Sequence, residues 1–267
     1  MKMNEKLNKI SEWIKSQGYP LEMYCRNELA KSKFNAVQSL KYEDTETKKI
    51  REIDILATKF IYLNNVTFNF SLVIECKLTK DKPWLVFTNE VAKDRSREIT
   101  QNSFCTQNGI SLLNKAPLLQ EFSLFKYNEK SIGFNITQCF TNGKDVPYEA
   151  LMSTQSACEF LVRKSNESGR AFCNFYFPVI VIDAELYKCF TDENNDISIE
   201  QINTEKIMTI RSYTNRPYTL HTVVTKDSLA TFASDLSAEL DTLMERIKDD
   251  FLYISEHFPR NFGSTFI

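Results

Sequence analysis

Histidine is nearly missing from this chain: His221 and His257 are the only two among 267 residues. The seven cysteines, Cys25, Cys76, Cys105, Cys139, Cys158, Cys173 and Cys189, form no Cys-x-x-Cys pair and are odd in number. Neither a structural zinc site nor a disulfide framework is expected from that distribution. Cys76, inside an apolar stretch, reads as a small buried hydrophobe. An excess of positive charge is missing too, with 33 Lys plus Arg against 35 Asp plus Glu, so any polyanion must be held by a local patch. No run approaches the roughly 18 apolar residues of a membrane span. The opening "MKMNEKLNKISEWIKSQGYP" carries charge throughout and lacks the apolar core of a signal peptide. These absences predict a cytoplasmic chain in a reducing compartment, with no membrane partner. Repeats, low-complexity tracts, an interdomain linker, a helix-turn-helix and a zinc finger are likewise not found.

What is present has globular proportions, 42% hydrophobic and 25% charged, enough for one large domain over 1–267. Leu7, Ile10, Trp13 and Ile14 are spaced as on one side of a helix over 5–17, with Gly18 as its stop. Pro20 opens a second helix with Leu21, Tyr24, Cys25 and Leu29 along one side. A strand over 34–42 follows, then two longer ones, "IREIDILATKFIYL" and "VTFNFSLVIECKL". Residues 84–101 read as partly helical, and 104–143 carry no clear pattern. A helix over 146–164, a strand over 171–186 buried on both faces, and two strands over 204–213 and 218–226 come next. The chain closes with a helix after Asp227, striped by Leu236, Leu240, Leu243, Ile247, Phe251 and Ile254. Packing against the domain is the first assignment for that stripe, and a homodimer seam is the alternative.

The two long strands carry the chemistry. A two-residue turn at Asn64 and Asn65, residues that tolerate positive φ, pairs positions whose numbers add to 129. That register sets Asp54 opposite Glu75 and Glu52 opposite Lys77 on one face. The other face then holds Ile53, Ile55, Ala57, Lys59 and Ile61 against Cys76, Ile74, Leu72, Phe70 and Phe68, apolar except for Lys59. Directly opposed Asp54 and Glu75 destabilise a sheet unless they share a proton or hold a cation. Oxygen ligands of this kind suit Mg²⁺, with Mn²⁺ as a substitute; a solvated charge cluster is the other explanation.

An acidic residue on one strand, (D/E)-x-K on the next and a glutamate on a preceding helix together resemble the PD-(D/E)xK nucleases of the restriction-endonuclease-like fold, in their resolvase-like and Mrr-like branch. The segments that carry the resemblance are "GYPLEMYCRNELAKSKFNAVQSLKY", "REIDILA" and "LVIECK", with Ile53 where the motif has proline. The resemblance covers residues 18–80 and implies a mixed-sheet α/β fold with an αβββαβ core. That core would span about 18–186, completed by the helix at 146–164 and the strand at 172–183. Residues 84–145 would be an insertion and 187–267 an extension of strands and a long helix.

Carried over, Asp54 and Glu75 match the metal ligands, joined by the Cys76 carbonyl, and Lys77 matches the catalytic lysine. Glu22 matches the helical acid, although a first-turn glutamate also gains about 0.3–1 kcal/mol from the helix dipole; Glu28 is the competing candidate. Glu52 would orient Lys77 or a water. Lys80, Lys82, Trp84, Lys93, Arg95 and Arg97 follow the motif and are the candidate nucleic-acid contacts, with Phe87, Arg163, Lys164 and Arg170 behind them. The resemblance implies a Mg²⁺-dependent endonuclease acting on DNA, double-stranded by analogy, in a prokaryotic restriction or anti-phage role, with a defence-system partner conceivable. A scaffold subunit of the same fold and an RNase are the alternatives.

Overall fold

The structure, a computed structural model, describes residues 2–248 apart from 45–46, 64–65, 80, 92–94, 129, 142, 144, 169–171 and 213–215. Helices α1 (Lys2–Lys15) and α2 (Tyr19–Lys31) lead into strands β1 (Asn35–Glu43), β2 (Ile50–Leu63), β3 (Val66–Leu78) and β4 (Trp84–Asn89). Then come α3 (Ser96–Asn102), β5 (Phe104–Cys105), α4 (Gln107–Lys115), β6 (Ile132–Gln138), α5 (Val146–Glu167) and β7 (Cys173–Asp183). The chain continues through β8 (Leu186–Thr191), β9 (Ile197–Ile202), β10 (Thr204–Ile210), β11 (Tyr218–Thr225) and α6 (Leu229–Arg246). The fold is mixed α/β, built on one large mixed sheet with the order β1-β2-β3-β7-β11-β10-β6-β4-β8-β9, while β5 pairs with β7.

Three features of the chain set the half of the sheet that holds Asp54, Glu75 and Lys77. In α2, proline in the first turn needs no intrahelical donor, and Leu21, Cys25 and Leu29 face the sheet. Strands β2 and β3 pair antiparallel from Ile55↔Ile74 to Leu63↔Val66, the register that the apolar alternation dictates. Strand β7 runs parallel to β3, and β11 parallel to β7, so the carboxyl ends of β3, β7 and β11 share one edge of the sheet. Helix α5 covers one face, where Ala157, Cys158 and Leu161 pack with Ile53, Val73 and Tyr42. The other face meets α2 and α6 in a core of Leu21, Cys25, Ile55, Ala57, Phe70, Leu72 and Ile74 with Leu236, Leu240 and Leu243.

Lys59, the polar residue on the apolar face, is buried, and its amine reaches α6. It donates to the Ser237 carbonyl at 2.7 Å and hydroxyl at 2.8 Å and pairs with Asp241 at 2.7 Å. The described part of the C-terminal stripe is spent in the same place, since Leu236, Leu240, Leu243 and Ile247 are all buried. Those four residues therefore pack against the domain, as first assigned, and do not form a homodimer seam; Phe251 and Ile254 lie outside the described residues.

The segment 84–101 is partly helical, as α3, and its first part is strand β4, which was not expected and extends the sheet. Strands β8 and β9 were not anticipated. Only Ala184 and Glu185 separate β7 from β8, yet four strands lie between them in the sheet order, so the sheet rolls back around a second core. Trp84, Val86, Ile136, Ile182, Leu186, Ile207 and Val223 fill that roll, closed by Ala150 and Leu151 of α5. Its tightest point is Gly133, where an added Cβ would stand 2.7 Å from Val86 Cγ1 and 2.9 Å from the Lys206 carbonyl. Among the described residues, no helix is long and apolar enough to cross a membrane.

Candidate active site

The site forms where the β2–β3 ladder ends. Past Ile55↔Ile74 the partner would be Asp54, but its carboxylate replaces the backbone: Asp54 Oδ2 accepts from the Cys76 N–H at 2.7 Å. On its other side, β2 pairs with β1 through Gln38↔Ile55 and Leu40↔Ile53, passing over Ser39 and Asp54. Ser39 has φ of 57°, a left-handed conformation unusual for serine. Both strands change face there. Ile55 and Ala36 belong to the α2 side, whereas Ile53, Leu40 and Tyr42 belong to the α5 side. The simple register expectation for Ile53 and Glu52 fails for this reason: Ile53 crosses to the α5 face, and Glu52 turns away from Lys77 to pair with Lys41 of β1.

Asp54, Glu75 and Lys77 do come together, and Glu22 lies within their electrostatic reach. The Lys77 amine donates to Glu75 Oε1 at 2.5 Å, as two residues on one face of a strand can. Ser153 of α5, not anticipated from the sequence, donates its hydroxyl to Glu75 Oε2 at 2.8 Å. Burial, then the charge of Glu75, push the Asp54 carboxyl up to about 7 against the pull of the Cys76 N–H, with Glu22 adding to the rise. Glu22 is raised in turn, first by burial and then by Glu75, while Lys77 opposes. Burial pulls Lys77 downward, but the charge and hydrogen bond of Glu75 outweigh it and the amine is raised overall. Asp54 and Glu22 are thus both held above the ordinary carboxylate range beside the charge of Glu75, and Lys77 offsets only part of that effect.

That donor set fits a hard divalent cation, which would relieve the repulsion that raises Asp54 and Glu22. The Cys76 carbonyl leaves β3 on the same side as its N–H, toward Asp54, because both groups of one strand residue face the same neighbour. Among the described residues no three His, Cys, Asp or Glu side chains stand ready to hold a metal ion. Both Glu75 oxygens and one Asp54 oxygen are engaged in hydrogen bonds. The Cys76 side chain packs against the α2-side core, where it meets Cys25. Glu28 pairs with Lys31 at 2.6 Å, and it is Glu22, not Glu28, whose charge acts on Asp54. His221 is fully buried, against Thr154 and Thr209, and burial pushes it down to about 3, so it is a neutral core residue.

The candidate polyanion contacts divide. Lys82 is exposed in the turn after β3, its N–H bonded to the Thr79 carbonyl, at the same end of the sheet as Lys77. Trp84 is corrected from a stacking platform to a fully buried core residue whose indole N–H reaches Thr79 Oγ1 at 3.0 Å. Arg95 donates to the Tyr218 hydroxyl at 2.8 Å and lies over its ring. Tyr218 opens β11 while the site lies level with Thr225 at its end, so Arg95, and with it α3 and exposed Arg97, sit about 20 Å away along the sheet. Lys80, Lys93 and Arg170 lie outside the described residues. Arg163 and Lys164 face Glu167 near the far end of α5. Beside the site, a cleft of about 250 Å³ opens at the carboxyl ends of β7 and β11, lined by Asp183, Lys226 and Asn203 among others. Lys226 bonds Asp183 there at 3.1 Å. Ligands of open α/β sheets collect at that edge.

Comparison of the whole chain with protein-family models, with curated proteins and with solved structures found no match.

Proposed function

We propose that this protein is a divalent-metal-dependent phosphodiesterase that cleaves DNA. The observation that carries the reading is the meeting of Asp54, Glu75 and Lys77 where β2 and β3 part, with Glu22 in their electrostatic field. The sequence order α2, β1, β2, β3, α5, β7, with β7 parallel to β3 and α5 against them, supports a restriction-endonuclease-like core as the frame of that site.

Asp54, Glu75 and the Cys76 carbonyl would hold the cation, with Glu22 beside them. Mg²⁺ bound there would supply neutralisation of phosphate charge and a more acidic water. Lys77, a cation at working pH, faces the charge that builds on the phosphate and would stabilise it or orient the attacking water. For that role its amine must leave Glu75, and the same step frees Glu75 Oε1 as a ligand. Lys82 at the exit of β3 would steady the flanking backbone as a phosphate contact. A restriction or anti-phage role, and a partner protein to direct it, belong to the same reading through the motif's resemblance.

The experiment is cleavage of plasmid, linear duplex, single-stranded DNA and RNA by the full chain with Mg²⁺, Mn²⁺ or chelator. Metal-dependent cutting of DNA supports the reading, cutting of RNA alone moves the substrate to the other polymer, and no cation binding at all overturns it.

A further inference from the structure

Two hydroxyls of α5 leave the helix, Ser165 for the Tyr176 hydroxyl at 2.6 Å and Ser153 for a carboxylate of the site. A serine or threonine inside a helix usually bonds back to a carbonyl of its own preceding turn. Thr154 does so, donating to the Ala150 carbonyl at 3.1 Å. Ser153 instead reaches out of the helix to Glu75 Oε2 at 2.8 Å. Its backbone is pinned too: the Tyr42 hydroxyl donates to the Ser153 carbonyl at 3.4 Å, and the Tyr42 ring packs on Phe160 at 5.5 Å. Helix and strand are therefore locked around this contact, with Ala157 and Cys158 one turn on in the core against Ile53 and Val73.

Resting on the metal-site reading above, we infer that Ser153 is a positioning residue that fixes the carboxylate of Glu75 for cation binding. Lys77 and Ser153 hold the two Glu75 oxygens in the described arrangement. When Lys77 turns to the phosphate, Ser153 is the side chain that still holds Glu75, and its bond sets the plane in which Oε1 is presented. Asp54 and, more weakly, Glu149 one helical turn before Ser153 also act electrostatically on the Lys77 amine. Partners of this kind typically change metal affinity 10–100-fold when removed.

The test is calorimetric titration of the full chain with Mn²⁺ at pH 8, for wild type, Ser153→Ala and Ser153→Thr, alongside cleavage at rising Mg²⁺ and urea midpoints for each. The expected result is cation binding weakened on the order of 10–100-fold in Ser153→Ala. Ser153→Thr, which keeps the hydroxyl, should recover it. Cleavage by the alanine variant should return at high Mg²⁺ with KM for DNA unchanged, which a merely structural role would not produce. Equal cation affinity in wild type and Ser153→Ala overturns the inference while leaving the nuclease reading intact, as does a loss that excess metal does not relieve. Absence of cation binding in wild type overturns both.

Discussion

The Asp54 carboxylate accepts from the Cys76 backbone N–H at 2.7 Å, closing with a side chain the end of a ladder whose paired positions run from Ile55↔Ile74 to Leu63↔Val66. An ionisable group thereby substitutes for a peptide carbonyl beside Glu75, and its protonation is tied to folding. The Asp54 pKa of about 7 lies above the ~3.9 of an unfolded aspartate. Folding therefore takes up a proton, so the contribution of this group favours the fold at low pH and is lost as pH rises through about 7.

Asp54→Asn should for that reason melt higher than wild type in chelator at pH 8, since asparagine keeps the acceptor for Cys76 and drops the charge. The gap should close toward pH 4, and added Mg²⁺ should raise the melting temperature of wild type only. Calorimetric melts at both pH values check the sign. A less stable Asp54→Asn at pH 8 would mean that the charge is welcome without a cation.

Glu22 and Glu52 were both read as members of the site, and the structure separates them. Glu22→Gln should reduce DNA cleavage by two orders of magnitude or more, on the scale of ~10²–10³ for loss of one electrostatic group. Glu52→Gln, which removes an exposed pair with Lys41, should leave cleavage near wild type and cost at most about 1 kcal/mol. Steady-state rates and urea midpoints of the two variants, measured side by side, test the assignment.

Gly133→Ala should destabilise by about 1–3 kcal/mol, the usual cost of overpacking, because its Cβ would meet Val86 and the Lys206 carbonyl inside 3 Å. Backbone and a core side chain flank the site together, so neither can yield cheaply. Denaturant midpoints with an unchanged slope would match this; an unaltered midpoint would show that β6 and β10 have slack.

Leu240→Glu should unfold the domain, not dissociate a dimer. Leu240 has no exposed surface, and an unpaired carboxylate there costs several kcal/mol. Circular dichroism with sedimentation separates the cases: lost structure is expected, and a folded monomer replacing a folded dimer would contradict the packing described.

Much of the half that holds Asp54, Glu75 and Lys77 was legible in the sequence because alternation is a two-sided test. Residues from Phe68 to Ile74 and from Ile55 to Ile61 had to share a face, and the bounds of β2 and β3 followed. The face switch was not legible, because Ser39 adopts φ of 57° with no glycine or asparagine to announce it. Glu52 and Ile53 were misplaced as a direct result. Trp84 amid lysines looks like a stacking platform in one dimension, and only the roll of the sheet, set by long-range pairing, shows why it is buried. Lys59 was the one polar residue on an apolar face, and its partners Ser237 and Asp241 lie 178 and 182 positions away, beyond any local pattern. Ser153 carries no local signal at all, since nothing in α5 marks which hydroxyl leaves the helix.

The most direct test of the central claim is cleavage of duplex DNA in Mg²⁺ by wild type and by Lys77→Ala, with the circular dichroism and cation affinity of both recorded. The account predicts metal-dependent cutting by wild type and its loss in a folded Lys77→Ala protein that still binds the cation. Undiminished cutting by Lys77→Ala would contradict it, and so would a wild-type chain that binds no divalent cation.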